Sequence, residues 1–559
     1  MSVASRILAQ LWHLPAPFSH DIVEERDIRV TMRDGVELLL DRYHPRGGDN
    51  LPVVLIRSPY GRGKMLHHGA VILAERGFQV LLQSCRGTEG CGGTLHPSFN
   101  EENDGSDTID WIGSQSWFCG KLAIMGASYM GNAAWAAVRS AGPKIAAMAL
   151  AMTLSDSRAE TYAFEGFTLE SCLRWTRTIA HHDSSLVWSS AEDFSTRFAG
   201  AARMQLALQL LPLRNADRAA VGRSIRWWRD WVEHGEPNDP FWQPIDYSTA
   251  AASAPPTALI AGWHDVFLPW EVKDFEAAQA AGRDITLTIG PWKHSDREAV
   301  AETLRQALPL FQTHLLDASR PATAGVRAPV RLFVIGANEW REYRSWPPPE
   351  TIPVAYYLAP GGALSNTAPA AGEPSRYNYD PSDPTPSVHG PNLRNSPALG
   401  DMAELERRFD VLLFTGEPLD ADLDVVGPVW AEVFFRSDLD NTDFFLCLCD
   451  VDPEARSTNV CDGYIRVRPN RPVPLCDGTR CVRIEFWPTA YRYKRGHRIR
   501  VIVASGAHPR YARNPGTGEA LADAVTLKIA HQQIFHDSLH PTRIVVGACS
   551  RSGDGHPTR

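Results

Sequence analysis

The sequence predicts an α/β fold built on a largely parallel sheet, interrupted by a helical insertion and followed by a separate all-β unit. Three observations predict it. Short continuous apolar runs alternate with amphipathic stretches over the first 150 residues and again over 257–289; strand signals vanish between these blocks; and beyond Trp346 short strands succeed one another without helices. Strands alternating with helices form right-handed βαβ units and hence a parallel sheet. The chain has 559 residues, 44% of them hydrophobic and 22% charged. That suits three or four compact units and excludes a disordered or fibrous chain.

In chain order, residues 27–42 read as a hairpin, with Asp34-Gly35 between two apolar runs. Residues 53–56 form a buried-type strand, 69–75 a helix, 78–83 a strand, 104–115 a helix, 122–125 a strand and 129–139 an Ala-rich helix. The alternation resumes with a strand at 257–261, a helix at 269–281 and a strand at 285–289. Residues 152–247 read instead as amphipathic helices, for example 201–211 and 225–231. A helical insertion of this kind is most simply a cap over the carboxyl edge of the sheet, where loops carry function. From Pro347 a turn-rich stretch rich in Pro, Gly, Ser and Asn leads to strands at 429–435, 444–449, 464–468, 481–486, 499–503 and 544–546, the pattern of a β-sandwich. The expected division is therefore 1–150 and 247–346 for the two parts of the α/β unit, 151–246 for the cap, and 347–559 for the β-unit.

Fifty-six basic against 65 acidic residues, a net charge of −9, gives no electrostatic footprint for nucleic acid or an anionic membrane. Ten cysteines include no CxxC pair. Cys447-x-Cys449 in a strand points two thiols the same way, a weak zinc case beside the simpler reading of reduced, buried thiols in a cytoplasmic protein. No apolar run reaches a membrane span, and residues 1–17 read as an N-terminal helix or arm rather than a signal peptide.

The sharpest local signal is Gly126-Ala-Ser128-Tyr-Met-Gly131, where a buried strand runs into a small-residue turn and then a helix. Such a turn can hold a serine in a strained conformation with its hydroxyl at the sheet edge, or it can be an ordinary strand–helix turn. The usual G-x-S-x-G pattern is departed from, since Met130 stands at +2 and the glycine at +3. A nucleophilic serine needs a base, and the base an orienting carboxylate. In α/β-hydrolases the order is Ser, Asp or Glu, then His, each after a strand. Asp265, in Gly262-Trp-His-Asp265, and His294, in Gly290-Pro-Trp-Lys-His294, meet that order; His264 is a competing base. The Tyr129 N–H is one oxyanion donor by position. The Tyr60 hydroxyl, on the loop Arg57-Ser-Pro-Tyr60, is either a second donor or a half-buried loop aromatic.

These segments, with Cys85-Arg-Gly-Thr, Glu339-Trp-Arg and Cys461-Asp-Gly, resemble the CocE/NonD hydrolases, kin to X-prolyl dipeptidyl aminopeptidases and α-amino acid ester hydrolases. The resemblance spans nearly the whole chain and explains the glycine at +3. It implies an α/β-hydrolase fold with a helical cap and a C-terminal jelly roll. It also implies Ser128, Asp265 and His294 as triad, Tyr60 and Tyr129 as oxyanion hole, Trp175 and Phe267 lining an acyl pocket, with Tyr162 the candidate for the other cap aromatic, and no cofactor or metal.

Other signals are set aside. The glycine-rich stretch from Arg86 lacks the lysine and helix of a phosphate cradle. Residues 438–443 lack the glycine and glutamate of a calcium loop. His181-His-Asp183 has no spaced partner, and Trp227, Trp228 and Trp231 read as core. The expected activity is a cofactor-free serine hydrolase cleaving a small ester. The alternatives are a peptidase or amidase that uses Glu160, Glu165 and Glu170 to hold an ammonium, an acyltransferase or cyclase with the same triad, and a binding protein with a defunct hydrolase domain. Of partners, the reading expects a small ester or amide substrate, allows a homodimer, and expects neither nucleic acid nor membrane.

Overall fold

The computed structural model describes residues 3–182, 194–316, 328–393, 396–469 and 471–549. A short helix, Val3–Leu11, precedes a ten-stranded sheet. Its strands are β1 (Ile22–Thr31), β2 (Glu37–Pro45), β3 (Leu51–Ser58), β4 (Gln79–Ser84), β5 (Phe118–Ala127), β6 (Ala147–Ala151), β7 (Thr257–Gly262), β8 (Ile285–Gly290), β9 (Val330–Val334) and β10 (Glu339–Tyr343). Their spatial order is β1-β2-β4-β3-β5-β6-β7-β8-β9-β10. The hairpin β1–β2 and the pairs β2–β4 and β9–β10 are antiparallel; every pairing from β4 through β9 is parallel. The chain passes from β3 outward to β4 and then back to β5 on the opposite side. The loops after β3 and β5 therefore face each other where the direction of winding reverses, the place where open α/β sheets build their sites.

Helices Lys64–Ala74, Glu101–Gly113, Tyr129–Ala141, Leu268–Ala280 and Arg297–Leu315 pack on this sheet. With both faces covered, β4, β6 and β7 are buried along their whole length, which is why parallel strands read as unbroken apolar runs. β6 has no counterpart in the sequence reading. Its five residues, Ala-Met-Ala-Leu-Ala, carry little intrinsic strand preference, and pairing with β5 on one side and β7 on the other makes it a strand. β9, β10 and the helix Arg297–Leu315 were likewise not anticipated.

Between β6 and β7 the described residues form helices, among them Leu169–His182, Phe194–Gln209, Ala216–Val221 and Arg226–Glu233. Their core is aromatic, with Tyr162, Phe167, Trp227, Trp228, Trp231 and Trp242 all buried. Beyond β10 a twelve-stranded sheet follows, two of whose strands, Arg480–Glu485 and Thr489–Tyr493, branch from the long strand Leu423–Ser437. All its pairings are antiparallel except Ala363–Ser365 with Leu412–Thr415. The stretch read as turn-rich contains strands Thr351–Ala359 and Ser375–Tyr379, whose partners lie far along the chain at Arg543–Cys549 and Ala530–Ile534.

The two sheets share one hydrophobic core. Their junction is also hydrogen-bonded: the Ile335 N–H donates to the Ala490 carbonyl (2.9 Å) and the Arg492 N–H to the Ile335 carbonyl (2.8 Å). Arg341 and Arg492 converge on the buried Asp424 carboxylate at 2.9 and 2.6 Å. The segment Glu339-Trp-Arg thus belongs to an inter-sheet clamp.

Candidate active site

Ser128 ends the turn between β5 and the helix Tyr129–Ala141. Its backbone lies at φ 57°, ψ −132°, a positive φ that a serine adopts only under constraint. The constraint is visible. Its N–H donates to the Ala151 carbonyl (3.0 Å), and its carbonyl accepts from Thr153 Oγ1 (2.7 Å). A Cβ at Gly126 would collide with the Met130 carbonyl, and one at Gly131 would stand 2.5 Å from Thr153 Oγ1. The glycine at +3 is thus required by the close approach of the end of β6.

His294 and Asp265 come from the loops after β8 and β7, tied together by the Trp263 N–H to the Gly290 carbonyl and the His264 N–H to the Trp292 carbonyl (2.9 and 3.1 Å). His294 Nε2 lies 3.0 Å from Ser128 Oγ, and Nδ1 lies 2.6 Å from Asp265 Oδ2. A carboxylate can only accept, so Nδ1 carries the proton and Nε2 is left to accept from the Ser128 hydroxyl. Asp265 is fully buried; its Oδ1 accepts from the Phe267 N–H at 2.9 Å. Burial works against the imidazolium, but the Asp265 carboxylate, by charge and hydrogen bond, and the Glu160 carboxylate outweigh it and raise the His294 pKa above the usual imidazole value. His264 does not join them. Burial takes its pKa down to about 4, and the charges that bear on it are Asp296 and Lys293.

The Tyr60 hydroxyl accepts from Trp175 Nε1 at 3.0 Å and is close enough to the Ser128 side chain for that group to bear on its pKa. Burial raises its pKa, so at neutral pH it remains a neutral donor. Tyr129 begins the helix after Ser128, and its own phenol is held away, donating to Glu101 Oε1 and accepting from the Ser98 N–H (2.9 and 2.8 Å). Glu101 in turn is ion-paired with buried Arg57 at 2.7 Å. The motifs Arg57-Ser-Pro-Tyr60 and Cys85-Arg86-Gly-Thr serve this scaffold, Arg86 bridging Asp104 and Asp34 at 2.6 and 2.7 Å.

Of the expected pocket residues, Phe267 packs edge-on against His294 (5.2 Å between centroids), and Trp175 stacks on Tyr129 at 5.7 Å. Tyr162 belongs elsewhere. It is 3% exposed inside the aromatic core of the helical segment, and its hydroxyl donates to the Trp231 carbonyl (2.7 Å), so packing rather than substrate accounts for it. The three acids proposed to hold an ammonium do not converge. Glu165 pairs with Arg158 at 3.1 Å and Glu170 with Arg174 at 2.9 Å, while Glu160 is within electrostatic reach of His294 and Asp265. Burial, opposed by the His294 charge, pushes Glu160 up to about 7.

Trp487 was not anticipated at all; from the connection between strands Arg480–Glu485 and Thr489–Tyr493 of the second sheet its Nε1 donates to the Asp265 carbonyl at 3.3 Å. No local pattern could announce it, since it lies 222 residues from its partner. Among the described residues no cluster of three or more His, Cys, Asp or Glu side chains forms a metal site, and no helix is long and apolar enough to cross a membrane. Cys447 and Cys449 do share a face, their sulfurs 3.6 Å apart. Asp443 is taken up by Tyr464, Arg466 and Asn514. Asp183 lies outside the described residues.

A serine, an imidazole and a carboxylate in hydrogen-bonded series at the carboxyl ends of parallel strands define a serine hydrolase. Comparison with known proteins places the chain within that class. The model of the X-Pro dipeptidyl-peptidase (S15 family) matches residues 34–296, and that of the X-Pro dipeptidyl-peptidase C-terminal non-catalytic domain matches 324–545. Cocaine esterase of Rhodococcus sp. (strain MB1 Bresler) is 32% identical across a gapped alignment that covers 94% of this chain and 98% of its own. An aminopeptidase from a marine-sediment Thaumarchaeota archaeon shares the fold with a TM-score of 0.78 at 22% identity, covering 96% of this chain and 99% of that one. An α-amino acid ester hydrolase does so with a TM-score of 0.78 at 23% identity, covering 96% and 98%. The chain belongs to the X-Pro dipeptidyl-peptidase (S15) family and, within it, to the CocE/NonD hydrolases.

Proposed function

We propose that the protein hydrolyses small carboxylic esters through an acyl-enzyme on Ser128. The observation that carries this is the unbroken hydrogen-bonded series Asp265–His294–Ser128. Ser128 Oγ attacks the ester carbonyl while His294 Nε2 takes its proton; the imidazolium, stabilised by Asp265, then protonates the leaving alkoxide as the C–O bond breaks. Water, deprotonated by the same nitrogen, releases the acid. The Tyr60 hydroxyl and the Tyr129 N–H are the donors for the oxyanion in both steps. Residues 151–246 act in this reading as a cap over the site, and residues 347–559 as a jelly roll whose Trp487 props the Asp265 loop.

The pairing of Glu165 and Glu170 with arginines favours ester over aminoacyl-peptide substrates, because those carboxylates are not free to bind an ammonium. The test is direct. Ser128→Ala should abolish fluorophosphonate labelling and ester turnover, and retention of either overturns the mechanism. Faster turnover of a Gly-Pro-anilide than of acetyl or benzoyl esters would overturn the substrate class instead.

A further inference from the structure

Trp175 stands on the helix Leu169–His182 of the segment inserted between β6 and β7, yet its indole meets the side chains of both Tyr60 and Tyr129, the hydroxyl of the first being one of the groups read above as oxyanion donors. Its Nε1–H donates to Tyr60 Oη at 3.0 Å. Its ring lies nearly parallel to that of Tyr129, 14° between planes at 5.7 Å. Behind it Trp231 and Trp227 pack at 5.8 and 6.3 Å between centroids, both buried, so the indole has little room to turn.

The hydrogen-bond inventory gives this contact a direction. A phenol has one proton and two lone pairs, whereas an indole N–H only donates. With Trp175 donating, one lone pair of Tyr60 is occupied and its single proton cannot point toward the indole. A second neighbour is the Ser128 side chain, beside which the substrate's oxyanion forms. A phenol that accepts a hydrogen bond is also a better donor, because the two bonds polarise each other. Tyr60 is fixed from its other end as well, its backbone N–H donating to Ser58 Oγ at 3.0 Å.

We propose that Trp175 is a positioning residue of the oxyanion hole: its indole N–H aims the Tyr60 hydroxyl proton at the reacting centre, so that the helical insertion completes the catalytic apparatus instead of only walling the acyl pocket. The inference rests on the ester-hydrolase reading above. Because the N–H acts on the transition state through Tyr60, its loss lowers kcat, leaves KM nearly unchanged, and matters only while the Tyr60 hydroxyl is present.

The test is a double-mutant cycle on p-nitrophenyl acetate with active sites counted by fluorophosphonate titration. Trp175→Phe should lose about tenfold in kcat with KM within about twofold, and should cost less than about twofold when introduced into Tyr60→Phe. An unchanged kcat, an effect confined to KM, or the same loss in both backgrounds each overturns the proposal, the last showing that only packing was disturbed. Replacing Trp175 by its benzothienyl isostere, in which sulfur stands for the N–H, keeps the shape if Trp175→Phe folds poorly; the same kcat loss is expected, and full activity refutes the role. Ser128→Ala, run alongside, separates the two levels. If it retains turnover the ester-hydrolase mechanism itself is wrong, whereas a dead Ser128→Ala with fully active Trp175 variants refutes the positioning role alone.

Discussion

Replacing Asp265 by Asn alters one atom and, from the geometry, inverts the chemistry of the base. Asp265 is fully buried and its two oxygens have separate duties, Oδ1 accepting from the Phe267 N–H at 2.9 Å and Oδ2 from His294 Nδ1 at 2.6 Å. An asparagine has one acceptor and one donor end. With its oxygen on the Phe267 N–H, its NH2 faces Nδ1, which must then be unprotonated. The ring proton moves to Nε2 and points at Ser128 Oγ, so the base can no longer take the serine proton. The other orientation preserves the tautomer but sets NH2 against the Phe267 N–H. That leaves two buried donors unsatisfied at about 1–3 kcal/mol each, or about 2–6 kcal/mol, which is roughly 30-fold to 10⁴-fold at 1.36 kcal/mol per decade. The wrong tautomer itself costs about 10⁴ in kcat. The loss in kcat is therefore bracketed between about 30-fold and 10⁴-fold, with KM little changed. Steady-state hydrolysis of p-nitrophenyl acetate at pH 7, on protein whose circular dichroism and Tm match the wild type, reads it. A loss of less than about tenfold would refute the assignment of Asp265 as the group that sets the His294 tautomer.

Three further outcomes follow from the same geometry. Tyr60→Phe should lower kcat by about 10²–10³-fold with little change in KM, and an effect seen in KM alone would count against the hydroxyl as oxyanion donor. Glu160→Gln removes a negative charge that favours the His294 imidazolium. More of the base is then neutral at a given pH, so the acid limb of the kcat/KM profile should move to lower pH; no movement, or movement upward, contradicts the coupling. Asp274 is pushed up to about 8 by burial, against hydrogen bonds from Ser155, so the folded protein keeps a proton that the unfolded chain releases near its model value of 3.8. The contribution of this group to stability is complete below about pH 4 and declines as the pH rises toward 8. Asp274→Asn should therefore flatten the fall of Tm with pH over that window, and parallel Tm profiles for variant and wild type would exclude it.

How much of this was legible along the chain depends on whether the causes were local. The hairpin at Asp34-Gly35, the apolar cores of β3, β4, β5, β7 and β8, and the helix from Tyr129 follow from periodicity and turn chemistry acting over a few residues, and the structure has them where they were expected. β6 was missed because alanines become a strand only when paired on both sides, and Tyr162, the candidate for the second cap aromatic beside Trp175, is a core residue that no local pattern marks as such. Both stand in the same aromatic insertion, but Trp175 turns its N–H to Tyr60 whereas Tyr162 turns its hydroxyl to the Trp231 carbonyl.

The amino-acid order by itself determined which groups were available and in what sequence: a serine in a small-residue turn, then an aspartate, then a histidine, each after an apolar strand. Only the folded arrangement decided which of them meet. Strand order in the sheet brought the ends of β3, β5, β7 and β8 to one edge; charged partners separated Glu160, within reach of His294, from Glu165 and Glu170, which found arginines; and a tryptophan from a turn of the second sheet closed on the Asp265 loop. Hydrogen bonds and packing act over a few ångströms, and those few ångströms are set by the whole chain's topology rather than by neighbours in sequence.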